Sequence, residues 1–232
     1  MSNNSDKLQG RRRFLTGVGL AAATATVATS AKAASNSDAA NNGFTPTHHA
    51  EDAWYDANSA GHRVFIDTSN SSGGVTALNY ASNIMVGHTD AYAGSAESDI
   101  ATIICFRHGA TPLGYNDAMW AKYGTQFSQM LNLKDRTTDG PFKINPMNQS
   151  EQDFGNRGNT LASLAARGVS YAICAKATRA FSGRLASATG ENADDIFNEL
   201  IVNNIPNGRF VPAGVLAATR SQEYGYSLLY SA

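Results

Sequence analysis

The sequence predicts an α/β fold, a three-layer α/β/α sandwich around a mainly parallel five-stranded sheet. Short apolar runs of strand length alternate along the chain with segments of helical periodicity. One of those runs, Ala101-Thr102-Ile103-Ile104-Cys105-Phe106, is apolar almost throughout, which suits a parallel strand covered on both faces.

In order, the pattern from Thr47 to Asn58 reads as a helix, with Thr47 as its cap, Trp54 as its anchor and Gly61 closing it. Arg63-Val64-Phe65-Ile66-Asp67 is the first strand, ending in the turn Thr68 to Gly74. Val75, Leu78, Ala81 and Met85 recur at helical spacing, so a helix is expected from about Gly74 to Asp90. After the second strand, Ala101 to Phe106, the residues Trp120, Tyr123, Phe127, Met130 and Leu131 line one helical face. Leu161, Leu164 and Ala165 line another that stops at Gly168. Val169 to Cys174 is the third strand, followed by helices from Thr178 to Ser187 and around Ile196, Phe197, Leu200 and Ile201. Arg209-Phe210-Val211, a helix from Val215 to Tyr224 ended by Gly225, and the strand Tyr226 to Tyr230 complete the alternation. Lys134 to Gly158 breaks the rhythm. A connection of about 25 mostly polar residues, with only Phe142, Ile144, Met147 and Phe154 to pack, is expected inside a compact domain to cover a site or a subunit interface.

Composition bounds the function. The chain has 232 residues, 42% hydrophobic and 16% charged, with net charge −1 and two cysteines. A collagen, a coiled coil, a disulfide scaffold, a disordered chain and a strongly basic nucleic-acid binder are all disfavoured. The near-neutral total conceals an asymmetry. Lys7, Arg11, Arg12, Arg13 and Lys32 lie in the first 33 residues against Asp6 alone, and the remainder is net acidic.

Residues 1–33 read as an export signal: Arg11-Arg12-Arg13-Phe14-Leu15, a mild apolar stretch from Gly17 to Ala28, then Ala31-Lys32-Ala33 as an A-x-A cleavage site. Paired arginines before Phe-Leu and an Ala/Gly/Thr-rich stretch resemble a bacterial twin-arginine signal, implying a twin-arginine translocase as transient partner and a periplasmic location. The apolar stretch is about half the length needed to cross a bilayer, so no stable membrane insertion is expected after cleavage. Residues 34–46 are small and polar and read as a flexible linker, and the folded domain is expected over 47–232.

In an open α/β sheet, ligands bind beyond the carboxyl ends of the strands, which here carry Thr68 to Gly74, Arg107 to Asn116, Cys174 to Thr178 and Pro212 to Gly214. Cys174 stands at a strand end just before a helix, where the helix N-terminus, Lys176 and Arg179 favour a thiolate. The competing reading is a buried, inert thiol. Cys105 lies inside an apolar run and reads as core. A Cys105–Cys174 disulfide would have to join two strands of one sheet, a demanding geometry. His108 follows the second strand directly and is a candidate proton carrier or anion contact, with Arg107 beside it as an anion partner or a snorkelling side chain. Gly73-Gly74 admits a weak phosphate-loop reading, and Val211-Pro212-Ala213-Gly214 a backbone cradle or a plain turn. His48-His49, His62 and His88 lack ligand-like spacing, so no metal site and no cofactor are assigned.

The strand Arg63 to Asp67 with Ala77-Leu78-Asn79 and Asn83 on its helix, the strand ending Phe106-Arg107-His108-Gly109, Leu164-Ala165-Ala166-Arg167-Gly168-Val169 leading to Ala172-Ile173-Cys174, and the ending Val211-Pro212-Ala213-Gly214-Val215 with Gln222-Glu223-Tyr224-Gly225-Tyr226 together resemble the DsrE/DsrF-like family. The resemblance spans roughly residues 62 to 230. It implies a parallel-sheet domain that assembles into trimers or hexamers. In sulfur-relay members it also implies a strand-end cysteine that carries a persulfide, the position taken here by Cys174. On that basis Cys174 and His108 are the candidate catalytic residues, and Arg107, Lys176, Asn79 and Gly214 the candidate contacts to a small sulfur-containing ligand. The implied function is a sulfurtransferase-like sulfur carrier. The alternative is a non-catalytic periplasmic oligomer that binds a small ligand and keeps Cys174 as a structural residue. Export, the Lys134 to Gly158 insertion and the segment Phe106 to Pro112 distinguish this chain from the relay members.

Overall fold

Five strands form one sheet in the order β4-β3-β2-β1-β5, every neighbouring pair parallel. This computed structural model describes residues 43, 45–149 and 155–232. The expected signal of residues 1–33, most of the 34–46 linker, and residues 150–154 of the long loop lie outside the described residues. Pro46–Ala232 is one compact unit.

The strands are β1 (His62–Thr68), β2 (Ile100–Phe106), β3 (Ser170–Cys174), β4 (Gly208–Val211) and β5 (Ser227–Ser231). The helices are α1 (Ser71–Ala91), α2 (Asp117–Leu131), α3 (Leu161–Ala166), α4 (Ala175–Thr189), α5 (Ala193–Val202) and α6 (Gly214–Glu223). Strand side chains alternate between two cores, as the period of two requires. Val64, Ile66, Ile104, Phe106, Tyr171 and Ile173 join the core built with α1 to α5. Phe65, Ala101, Ile103, Cys105 and Ala172 join the second, built with α6 and the short 3₁₀ turn Ala50–Tyr55. All seven residues of β2 are buried, as its apolar run predicts. The architecture is therefore the expected three-layer α/β/α sandwich, its sheet wholly parallel. Among the described residues no helix is long and apolar enough to cross a membrane.

Two element boundaries differ from the sequence reading for identifiable reasons. Thr47 to Asn58 does not form an α-helix: Ala50–Tyr55 is 3₁₀, and no side chain caps it. The Thr47 carbonyl instead accepts from Arg220 Nη2, and the Arg220 Nε–H donates to Asp52 at 2.9 Å. Helix α4 begins at Ala175 rather than Thr178. Thr178 is not its cap but an interior residue whose hydroxyl donates to the Cys174 carbonyl at 3.0 Å, the back-bond available to a helical Thr.

The glycines after β1 serve packing. The Gly73 N–H is taken by the Asn70 side chain at 2.7 Å, capping α1. A Cβ on Gly73 would stand 2.4 Å from the Ser231 carbonyl oxygen, and one on Gly74 2.6 Å from Leu113 Cδ1. The pair lets α1 approach the end of β5 and the β2–α2 connection, so close approach rather than a phosphate cradle accounts for it.

The segment Lys134 to Gly158 is docked in its described parts. The Phe142 N–H donates to the Ser128 hydroxyl at 3.0 Å, and the Asn145 N–H to Asp117 Oδ1 at 2.8 Å. The buried Asn145 amide donates to the carbonyls of Leu113 and Tyr115 at 2.8 and 2.7 Å. Those bonds satisfy backbone at the C-terminal end of the 3₁₀ connection His108–Gly114, buried over Ala110–Gly114, to which the Trp120 indole N–H also donates, at the Pro112 carbonyl. The loop thus braces the connection that carries His108.

Candidate functional site

The carboxyl ends of β2, β3 and β4 open on a cleft of about 460 Å³. Cys174, His108, Arg107, Lys176 and Gly214, five of the six residues singled out from sequence, line it together. They come from separate elements. Cys174 ends β3, Arg107 and His108 follow β2, Lys176 is in the first turn of α4, and Gly214 opens α6.

Cys174 is the N-cap of α4, and its Sγ accepts the Ala177 N–H at 3.4 Å. The residue is 6% exposed. A sulfur in this place meets the positive end of the helix dipole and one of the N–H groups the helix itself leaves unpaired. Cysteine is an unusual cap, which is why Thr178 looks like the better start from sequence alone. Below the cleft, the Tyr115 hydroxyl donates to Thr178 Oγ1 at 3.0 Å, fixing the first turn of α4 from beneath.

Arg107 lines the cleft, but its charge is already answered. Its Nε and Nη2 donate to the two carboxylate oxygens of Asp67, both at 2.7 Å, and its guanidinium lies 5.8 Å from the Tyr230 ring centroid. The side chains of Arg107 and Asp67 are 15% and 9% exposed, and the carboxylate holds the Arg107 pKa above its ordinary value. The remaining arm, Nη1, lies 3.0 Å from His108 Nδ1. A guanidinium only donates, so Nδ1 is the acceptor and the ring proton sits on Nε2. His108 also holds φ at 49°, a left-handed conformation that costs a non-glycine residue about 1–2 kcal/mol. The Arg107 bond and the buried residues Ala110–Gly114 that follow hold it there. Arg107 is thus a strut that orients His108, and the exposed cations of the cleft are Lys176 and Arg184.

Gly214 acts through its lack of a side chain. A Cβ there would stand 2.7 Å from Arg107 Cβ and 3.1 Å from Cys105 Sγ. Asn79 is not part of this cleft. Its amide donates to the Gly155 carbonyl at 2.9 Å and its oxygen accepts from Asn159 at 3.0 Å, so it anchors the return of the long loop. None of the described residues of that loop lines the cleft. Several border a separate cavity of about 570 Å³ beside the first turn of α1, which holds neither cysteine nor histidine.

Both cysteines are free. Cys105 pairs in register with Ala172, so Cys174 lies two residues further along the neighbouring strand, on the same face but diagonal. A disulfide needs Cβ atoms about 3.5–4.5 Å apart, closer than diagonal neighbours come. Cys105 is fully buried, and that burial, reinforced by Asp67, pushes its thiol well above the usual range. It is a core residue, as its apolar run predicts. The other histidines pack elsewhere: His48 stacks on Tyr224, and His62 meets His88 edge-on. Among the described residues no three His, Cys, Asp or Glu side chains cluster as a metal site.

Sequence reasoning missed three contributors. Asp67 carried one signal, an acid closing a buried apolar strand, which demands a cationic partner. Arg184 and Phe181 lie on the α4 stripe that also carries Lys176 and Ala177, a periodicity visible only once the helix start is known.

No protein-family profile matches the sequence, and no curated protein matches it. Among solved structures, a protein of unknown function from Methanobacterium thermoautotrophicum is similar over 73% of this chain and 98% of its own, with 14% sequence identity and a TM-score of 0.37.

Proposed function

We propose that the protein is an exported carrier of small sulfur species, with Cys174 as the acceptor. The observation that carries the reading is the Cys174 sulfur, set as the N-cap of α4 and facing a cleft that also holds Lys176 and His108. The resemblance to the DsrE/DsrF-like family supplies the sulfur chemistry, and the arginine-rich N-terminus supplies export through the twin-arginine translocase to the periplasm. Assembly as a trimer or hexamer is part of the same proposal.

In the proposed step the Cys174 thiolate attacks the outer sulfur of a donor persulfide, R–S–S–H. The donor S–S bond breaks, R–S⁻ leaves with the electron pair, and Cys174–S–S–H remains. No external oxidant or reductant is consumed. Attack by an acceptor thiolate on the outer sulfur of Cys174 reverses the process. Lys176 and His108 line the same cleft as Cys174 and in this proposal meet the departing thiolate.

The low exposure of Cys174 favours a second reading, a small-ligand binding module in which the thiol is a structural cap. Mass spectrometry separates the two. After incubation with cysteine persulfide, the peptide containing Cys174 is expected to gain the mass of one sulfur atom, lost on treatment with dithiothreitol and absent in Cys174→Ser. No gain in the wild type, or a gain that survives the substitution, overturns the carrier reading.

A further inference from the structure

The cleft extends well beyond its cysteine. Helix α4 presents Lys176, Ala177, Ala180, Phe181 and Arg184 along one side of it, a stripe at helical spacing. Lys176 and Arg184 are eight positions apart in the helix, about 12 Å along its axis. Between them the wall is apolar: Ala180 and Phe181 on α4, faced by Met130 and Leu131 at the end of α2 and Val215 at the start of α6. Among the described residues no acidic side chain lines the cleft. The charge of Arg107 is spent on Asp67, whereas Arg184, exposed and 5.5 Å from the Phe181 ring centroid, has no carboxylate partner among the described residues.

We infer that the sulfur donor or acceptor served by Cys174 is an elongated amphipathic anion. It would be an organic thiol or persulfide with an apolar stem lying along Phe181 and an anionic group at Arg184, ten positions and about 15 Å of helix rise beyond Cys174. The inference rests on the carrier reading for its chemistry and on the trough alone for its shape. A small inorganic donor such as thiosulfate would occupy only the Cys174 end and leave the Phe181–Arg184 half unused. An apolar channel closed by a cation at each end matches a stem with a distal carboxylate in both shape and charge.

The test compares loading of Cys174 from mercaptodecanoate persulfide, whose carboxylate can reach Arg184, with loading from mercaptopropionate persulfide and from thiosulfate. The long donor is expected to show kcat/KM at least about tenfold above the short one. Arg184→Gln should collapse that preference to near unity and Arg184→Lys should retain most of it, as expected for a charge-assisted contact. Calorimetry with the S-methyl thioether of mercaptodecanoate, which has no sulfur to transfer, reads the trough independently of the thiol. Thioether binding that depends on Arg184, without persulfide from any donor, overturns the carrier reading and upholds the trough. Equal loading from all three donors, indifferent to Arg184, with no thioether binding, overturns the trough and leaves the carrier reading standing.

Discussion

Asp67→Ala is expected to lower unfolding free energy by about 3 kcal/mol, read as a shifted midpoint in urea denaturation. The Arg107 guanidinium gives two of its three nitrogens to that carboxylate, and both side chains are largely buried. Removing the acid leaves a desolvated cation beneath α6, where Gly214 has no side chain because Arg107 Cβ occupies the space. The partner variant separates the charge effect from simple loss of volume. Asp67→Ala combined with Arg107→Met deletes both charges and keeps the unbranched stem, so most of the loss should be recovered, because the uncompensated charge carries the cost. A single variant that loses less than about 1 kcal/mol would show the pair to be no stronger than a surface ion pair.

Gly124→Ala is expected to destabilise the protein, although the same change in an exposed helix interior ordinarily stabilises by about 1 kcal/mol. The sign decides the matter. Gly124 lies in the middle of α2, and a Cβ there would stand 2.0 Å from the Phe142 carbonyl oxygen, a contact that only backbone movement relieves. A loss of about 1–3 kcal/mol is expected, together with faster proteolysis within residues 134–149, because the strap must lift from α2. A stabilised variant would mean that the strap does not sit on α2. The consequence reaches the site, since the Asn145 amide on that strap holds the carbonyls of Leu113 and Tyr115 in the connection that carries His108.

The sheet was legible in the sequence because its central strands leave little choice. Val64-Phe65-Ile66 and Ile103-Ile104-Cys105-Phe106 are buried on both faces, and such runs are too short for helices and too apolar for loops. The ends of elements were less legible, for two local reasons. Cys174 caps α4 with sulfur, so the oxygen-bearing Thr178 attracts the assignment three residues too late. Thr47 gives its carbonyl to an arginine 173 residues away, a partner that no local pattern reveals. At the site, strand-end position alone placed Cys174, His108, Arg107, Lys176 and Gly214 on one cleft. The division of labour among them was not legible, because it depends on Asp67 across the sheet neutralising Arg107 and leaving Lys176 and Arg184 as the accessible cations. Asn79 shows the reverse case: a polar residue in a resembling segment whose amide is taken up by the long loop.

The two thiols differ in setting: Cys105 is sealed in the core, and Cys174, 6% exposed, lines the cleft. Native alkylation with iodoacetamide, followed by peptide mass mapping, reads that contrast directly. One equivalent is expected at Cys174 in the folded protein, with Cys105 labelled only after denaturation. Resistance of Cys174 until the protein unfolds would contradict it and leave that sulfur as a structural cap.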